Sequence, residues 1–372
     1  MKNIILYVVT ALILATCFSC KNNKIQVADD ESIVYFCEDI TPENILKLYE
    51  ALNVDLSGKV GLKVHFGEEG NQNFLNPELL KPLVEKVHPT FVETNVLYVS
   101  KRRFTDSHIA LAKEHGFTFA PIDILDSEGE LIFPATGLKH FTQVKTGSHF
   151  NNYDSYIIYS HFKGHSSAGF GGAIKNVSMG FASPGGKMAM HASAFPSCPN
   201  AHQCIHCQRC VQQCPAGAIT ITEDGPVIDT SKCIGCAKCI AECPLGLFKP
   251  GQSADEKTFL ERLVEYAKVF TEKKKMVYIN VMDRISAKCD CSAQAPAPFM
   301  EKVGAVASTD IVAIEMACHE LTAKKQNTQD AFKDVNGISG LEQIEYAHKL
   351  GMGNKKYVLV NIITGEVTRS HN

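Results

Sequence analysis

The chain has 372 residues, 45% of them apolar and 21% charged, with a formal net charge of -3. That is chain enough for two or three domains with a sizeable core, in the proportions of an ordinary globular protein. The charge balance offers no electrostatic case for nucleic acid, and one outlier remains to be explained, the 15 cysteines.

Residues 1–20 begin Met-Lys-Asn, continue as an apolar run from position 4 to 18, and close on Cys17-Phe-Ser-Cys20. The run is too short for a spanning helix and suits a secretory leader. Its Ser-Cys ending, followed by polar Lys21-Asn-Asn-Lys24, resembles a bacterial lipoprotein signal. That resemblance implies lipidation at Cys20, rather than Cys17, and a membrane-anchored protein on the non-cytoplasmic side, in the periplasm or cell envelope. An uncleaved anchor is the alternative, and it too places the chain at a membrane. Residues 21–32 read as a polar tether.

From there short apolar runs alternate with helical stretches. A strand is expected at 33–37, then a helix at 42–52 capped by Thr41, with Pro42 at the tolerated first position. Strand 59–66, a helix from Asn76-Pro77 to 87, strand 90–93, helix 106–116, strand 117–122 and a buried strand at 154–160 follow. Beyond position 250 the alternation resumes with helix 255–270, strand 276–281, helices near 310–322 and 341–350, and strand 357–362. This order predicts an α/β fold, a mainly parallel sheet flanked by helices. Residues 33–195 and 251–372 form its two parts, and 196–250 are inserted between them. No GxGxxG is present, so a dinucleotide site has no support.

The insertion repeats itself: Cys204, Cys207, Cys210 and Cys214-Pro215 recur 29 positions later as Cys233, Cys236, Cys239 and Cys243-Pro244. Three thiolates at two-residue gaps grip one face of a cubane, and the cysteine before proline crosses to the other cluster. Cys204, Cys207, Cys210 and Cys243 are thus expected to hold one [4Fe-4S] cluster, and Cys233, Cys236, Cys239 and Cys214 the second. Zinc, which favours two separated pairs, and disulfides suit this spacing poorly. Between the repeats, 218–222 and 227–229 read as short strands around the turn dipeptide Asp224-Gly225. The whole stretch resembles bacterial two-cluster ferredoxins, a small α+β fold. Such clusters are normally assembled in the cytoplasm, and the leader has no twin-arginine pair; an anaerobic bacterium would at least protect exported clusters.

After the buried strand comes His161-Phe-Lys163-Gly-His165-Ser-Ser-Ala-Gly169-Phe-Gly171-Gly172-Ala-Ile-Lys175. Strand ends of open α/β sheets are where ligands bind, and Gly169, Gly171 and Gly172 would let backbone N–H groups approach an anion, with Lys175 as countercharge. The segment resembles, distantly, the nickel-pincer lactate racemases. That resemblance implies a lysine tether at Lys175 and metal or catalytic histidines at His165 and His191. Lys63 and His65 share one face of their strand. Cys289 and Cys291 are either reduced thiols or soft metal ligands, whereas Cys37, Cys198 and Cys318 read as buried small apolar residues.

Glu93-Thr-Asn95, Arg102, Thr105, His108, Lys175-Asn176, Cys289-Asp290-Cys291 and the 310–315 segment ending in Glu315 together resemble the DUF362 family over most of the chain. The family implies the fold and an inserted ferredoxin, but no reaction. Two functional classes follow: a redox enzyme whose clusters exchange electrons with a small-molecule substrate or cofactor at the Gly-rich loop, or an electron carrier that docks a redox partner protein. A nickel-cofactor isomerase is the third reading and rests on the distant resemblance.

Overall fold

The computed structural model describes residues 26–191, 195–251 and 254–370. The leader, with Cys17 and Cys20, lies outside them. Among the described residues no helix is long and apolar enough to cross a membrane.

A nine-stranded sheet runs in the order Val367–Arg369, Lys356–Asn361, Glu31–Cys37, Gly304–Ser308, Lys275–Met282, Ser155–His161, Val60–Lys63, Thr90–Glu93, Ile122–Ile124. All run one way except Gly304–Ser308 and Val367–Arg369, which are antiparallel to their neighbours. The fold is α/β and mainly parallel, as the alternation predicts. Ser155–His161 is buried at every residue, the signature of a strand covered on both faces. One face packs against helices Ala173–Phe181, Glu256–Lys273 and Ile311–Gln326, the other against Pro42–Ala51 and Lys81–Val87.

Helix starts follow local chemistry: the Thr41 and Asp255 side chains accept from Asn44 N–H and Thr258 N–H, satisfying donors that the first turn leaves free. Strand ends deviate more from expectation. The 117–122 stretch is not a strand, because Pro121 has no N–H to donate and pairing begins after it. Phe117 instead packs edge-on against Phe66 and Phe91. The second strand stops at Lys63 rather than 66. The first begins at Glu31, so the polar segment ends before position 32. Unforeseen are the small-residue strand Gly304–Ser308 and a hairpin of Glu130–Pro134 with Gln143–Gly147.

Residues 196–250 build a lobe whose entry and exit meet, because Pro196–Ser197 pairs antiparallel with Lys249–Pro250. Inside it a hairpin, Ile219–Thr222 with Gly225–Ile228, joins the two cysteine loops. Each loop leads into a short helix, Arg209–Gln212 or Lys238–Glu242. The lobe's apolar core takes in Leu97 and Met188 from the α/β unit, so the two are packed together.

Candidate functional site

Past the ends of Val60–Lys63, Thr90–Glu93 and Ser155–His161 lies a half-open cavity of about 380 Å³. Its walls include four histidines, His65, His161, His165 and His191.

One wall is a buried lattice of charges. Glu93 accepts from Arg102 Nη2 at 3.2 Å and from Thr94 N–H at 2.7 Å, and lies 3.4 Å from Lys63 Nζ. Burial works against its charge, but Lys63 and Arg102 outweigh burial and hold the carboxyl well below the usual range. Lys63, fully buried, is pushed down to about 8 by burial against the pull of Glu93, and donates to Asn176 Oδ1 at 2.9 Å. Arg102 also reaches His65 Nε2 at 3.0 Å and His108 Nε2 at 3.3 Å. Burial and the guanidinium push both imidazoles down. Lys187 spends its three hydrogens on Thr94 Oγ1, Asn95 O and Ala182 O, at 2.6–2.8 Å, and burial lowers it to about 8.

A second group of wall residues is anchored by Asp290. His161 Nδ1 lies 2.8 Å from its Oδ2, and Lys163 Nζ lies 3.4 Å away. These two outweigh burial and hold Asp290 well below the carboxylate range. With Asp290 turned to that anchor, its neighbours Cys289 and Cys291 line the cavity. Their sulfurs and a His165 nitrogen lie within 4.8 Å of one another. Lys175 Nζ stands 3.6 Å from Cys289 Sγ. Between the two thiols, Cys289 is the one pulled down, by its hydrogen bond from Cys291 and by Lys175 and Lys163, while Cys291 keeps its proton. His165 and His191 are driven down by burial and then by Lys175, His191 to about 4, and the His191 ring stacks on Phe259 at 4.8 Å.

The helix that carries Lys175, Ala173–Phe181, is held at its first turn by Glu315, whose Oε1 accepts from Ala173 N–H and from Asn280 Nδ2. Burial raises this carboxyl to about 7, and its other oxygen has no partner.

In the cysteine lobe, Cys204, Cys207, Cys210 and Cys243 surround one small cavity and Cys214, Cys233, Cys236 and Cys239 another. Left-handed backbone at His206 and Gln208, matched 29 positions on by Gly235 and Ala237, curls each loop around its cavity. The lobe touches the α/β unit beside both: Arg103 Nη1 donates to Cys243 O at 3.0 Å, and Lys145 Nζ to Ile234 O at 3.2 Å. A further space of about 380 Å³, walled by Ile240, Gly246 and Phe248 of the lobe, shares Leu97, Tyr98 and His191 with the main cavity.

A family model described as a domain of unknown function, DUF362, matches residues 60–320. The chain belongs to the DUF362 family. Among solved structures it is similar to the lactate racemase apoprotein of Thermoanaerobacterium thermosaccharolyticum, with 13% identity and a TM-score of 0.34 over 69% of this chain and 52% of that one. It is also similar to a Thermotoga maritima protein, with 12% identity and a TM-score of 0.39 over 76% and 58%. This chain thus spans little more than half the length of either. No curated protein matches it in sequence.

In this DUF362 protein the residues expected at the site converge unevenly. His165, Lys175 and His191 line one cavity, and so does His65, while Lys63 lies behind it as part of the charge lattice. Of the three glycines, Gly172 lines the cavity. Gly169 and Gly171 form a short hairpin with Lys163–His165 instead of an open anion cradle. Gly169, at φ +70°, is needed where the backbone passes residues 338–340, since a Cβ there would meet Gly340 N at 2.5 Å. Cys37 and Cys318 are buried as expected, whereas Cys198 is half-buried at the edge of the cysteine lobe. Lys187 was missed because its partners Thr94 and Asn95 lie 93 and 92 residues away. Lys163 was missed because its role depends on Asp290, which is 127 residues away.

Proposed function

We propose that this protein is an iron–sulfur redox enzyme. Residues 196–250 hold two [4Fe-4S] clusters, and the cavity binds the small molecule with which they exchange electrons. The observation that carries this reading is the shared wall: Leu97, Tyr98 and His191 face both the main cavity and the space bounded by the cysteine lobe. A pure electron carrier needs no histidine-lined cavity beside its clusters.

The donor sets fit. Four cysteines surround each small cavity in the crossed pattern, and Cys214 Sγ and Cys243 Sγ each accept a backbone N–H from four residues on, Ala218 at 3.2 Å and Leu247 at 3.4 Å. Such bonds favour negative charge on sulfur, and bound clusters would supply one-electron transfer. In the main cavity Arg102, Lys163, Lys175 and Lys187 face a single lining carboxylate, Glu93, so the chain selects an anion. Arg102, Lys163 and Lys187 are committed to protein partners, which leaves Lys175, paired only with a thiol, as the group free to turn to a ligand. A lipid on Cys20 would hold the enzyme at the outer face of a membrane.

The test uses anaerobic protein lacking residues 1–20, carrying about eight irons and reduced with dithionite. Carboxylate- and phosphate-bearing acceptors are screened for reoxidation of the clusters. One that works on the wild type should fail on Lys175→Ala at equal iron content. Rescue by Lys175→Arg would mark anion pairing, and its absence a covalent tether. Equal reoxidation in all three proteins would favour the carrier.

A further inference from the structure

We infer that His165, Cys289 and Cys291 form a mononuclear site for a soft or borderline divalent ion, Zn²⁺ above all, whose open position faces the main cavity. The inference concerns the cavity and does not depend on the clusters.

The donor set is the first support. Two thiolates and one imidazole are the three-ligand pattern of catalytic zinc, which leaves a fourth position for water or substrate. All three residues line the cavity, and their donor atoms lie within 4.8 Å of one another. The Cys-x-Cys spacing alone does not achieve this. The intervening Asp290 is held on the far side by His161 and Lys163, so that both sulfurs are presented from one turn, which Cys291 N–H closes onto Cys289 Sγ at 3.4 Å. A buried carboxylate that fixes the ligand-bearing turn is what a metal site requires of its surroundings.

The second support is the cation beside the sulfurs. Lys175 Nζ stands 3.6 Å from Cys289 Sγ, the place of a countercation. A divalent ion would displace that ammonium and release Lys175 into the cavity. His165 Nδ1 accepts from Ser167 N–H at 3.1 Å. A metal on Nδ1 displaces this hydrogen, and a metal on Nε2 requires Nδ1 to carry its own. In either case the Ser167 amide loses its acceptor, so loading must loosen the turn at Ser166 and Ser167.

The experiment takes cluster-replete protein, with iron fixed beforehand, equilibrates it anaerobically with Zn²⁺ and desalts it. The expected result is one zinc per chain with unchanged iron. Absorption at the zinc edge should show two sulfurs at about 2.3 Å and at least one lighter donor. Faster hydrogen exchange should appear in the peptide containing Ser167. Cys289→Ser combined with Cys291→Ser should lose the zinc and keep the iron. If that variant does not fold, the wild-type edge spectrum and exchange decide alone. Zinc absent after desalting, zinc in a four-sulfur shell, or an unmoved Ser167 amide would each overturn the site. Missing iron with zinc retained would count against the clusters and not against this site.

Discussion

The two regions of this molecule that look chemical are built by opposite strategies. In the lobe of residues 196–250, all eight expected ligands fall within 40 positions of one another, between Cys204 and Cys243. Loops with left-handed residues bring them together, and little beyond the loops themselves is required. The main cavity instead gathers residues from His65 to Cys291, and several of its side chains are aimed by buried acidic groups. Glu93 aims Arg102, Asp290 aims His161 and Lys163, and Glu315 holds the start of the helix that carries Lys175. A site of the first kind should fail piecemeal, and one of the second kind should take stability with it.

The largest expected effect belongs to the lobe. Cys214→Ala should remove about half of roughly eight irons. The loss should fall on the cluster gripped by Cys233, Cys236 and Cys239, with the paramagnetic signal of the other retained. Loss of the nearer cluster instead would refute the crossed pattern. The α/β counterpart is Glu93→Gln, which leaves Lys63 and Arg102 without their shared carboxylate. Breaking a buried pair this way costs about 3–5 kcal/mol, and anaerobic denaturant unfolding should show it even where iron content is unchanged. A loss below 1 kcal/mol would mean that the lattice relaxes as an exposed pair does.

The same contrast decides what could be read before the fold was known. The cysteine spacing carries its ligand pattern in the sequence, and so do local devices such as Thr41-Pro42 at a helix start. The mainly parallel character of the sheet follows from alternation, although the order of its strands does not. The strand Gly304–Ser308 escaped notice because Gly-Ala-Val-Ala-Ser has little β propensity and is a strand only because its neighbours pair with it. The cavity was half legible. His165, Lys175 and His191 stand within one stretch, but the pairing of Lys163 with Asp290 and of Lys187 with Thr94 exists only after the sheet has formed.

A somewhat smaller effect should appear as a pH dependence. Glu315 has a carboxyl raised by burial from 4.5 to about 7. The folded state therefore holds its proton more tightly than the unfolded chain, and stability falls as pH rises from about 4.5 through 7. At about 1.4 kcal/mol per unit, the full loss is about 3 kcal/mol. Glu315→Gln cannot ionise but keeps an oxygen for Ala173 N–H, so the difference in unfolding free energy between it and the wild type should grow over that window. A difference that is flat from pH 4.5 to 8 would show that Glu315 stays ionised.

The smallest effect tests the seam between the two strategies. Arg103 donates to the Cys243 carbonyl, beside the tetrad of Cys204, Cys207, Cys210 and Cys243, and Lys145 donates to the Ile234 carbonyl, beside the other. Reduction adds an electron to a cluster, so a nearby cation favours the reduced form and removing it lowers the potential. Arg103→Met should therefore shift the first cluster down by a few tens of millivolts and leave the second in place. Lys145→Met should do the reverse, and more weakly, because Lys145 also lies 3.8 Å from Glu130, which offsets its charge. Redox titration followed by paramagnetic resonance resolves the two clusters. If both substitutions move both potentials together, the clusters sense the α/β unit as a whole, and the lobe is less self-contained than its sequence makes it look.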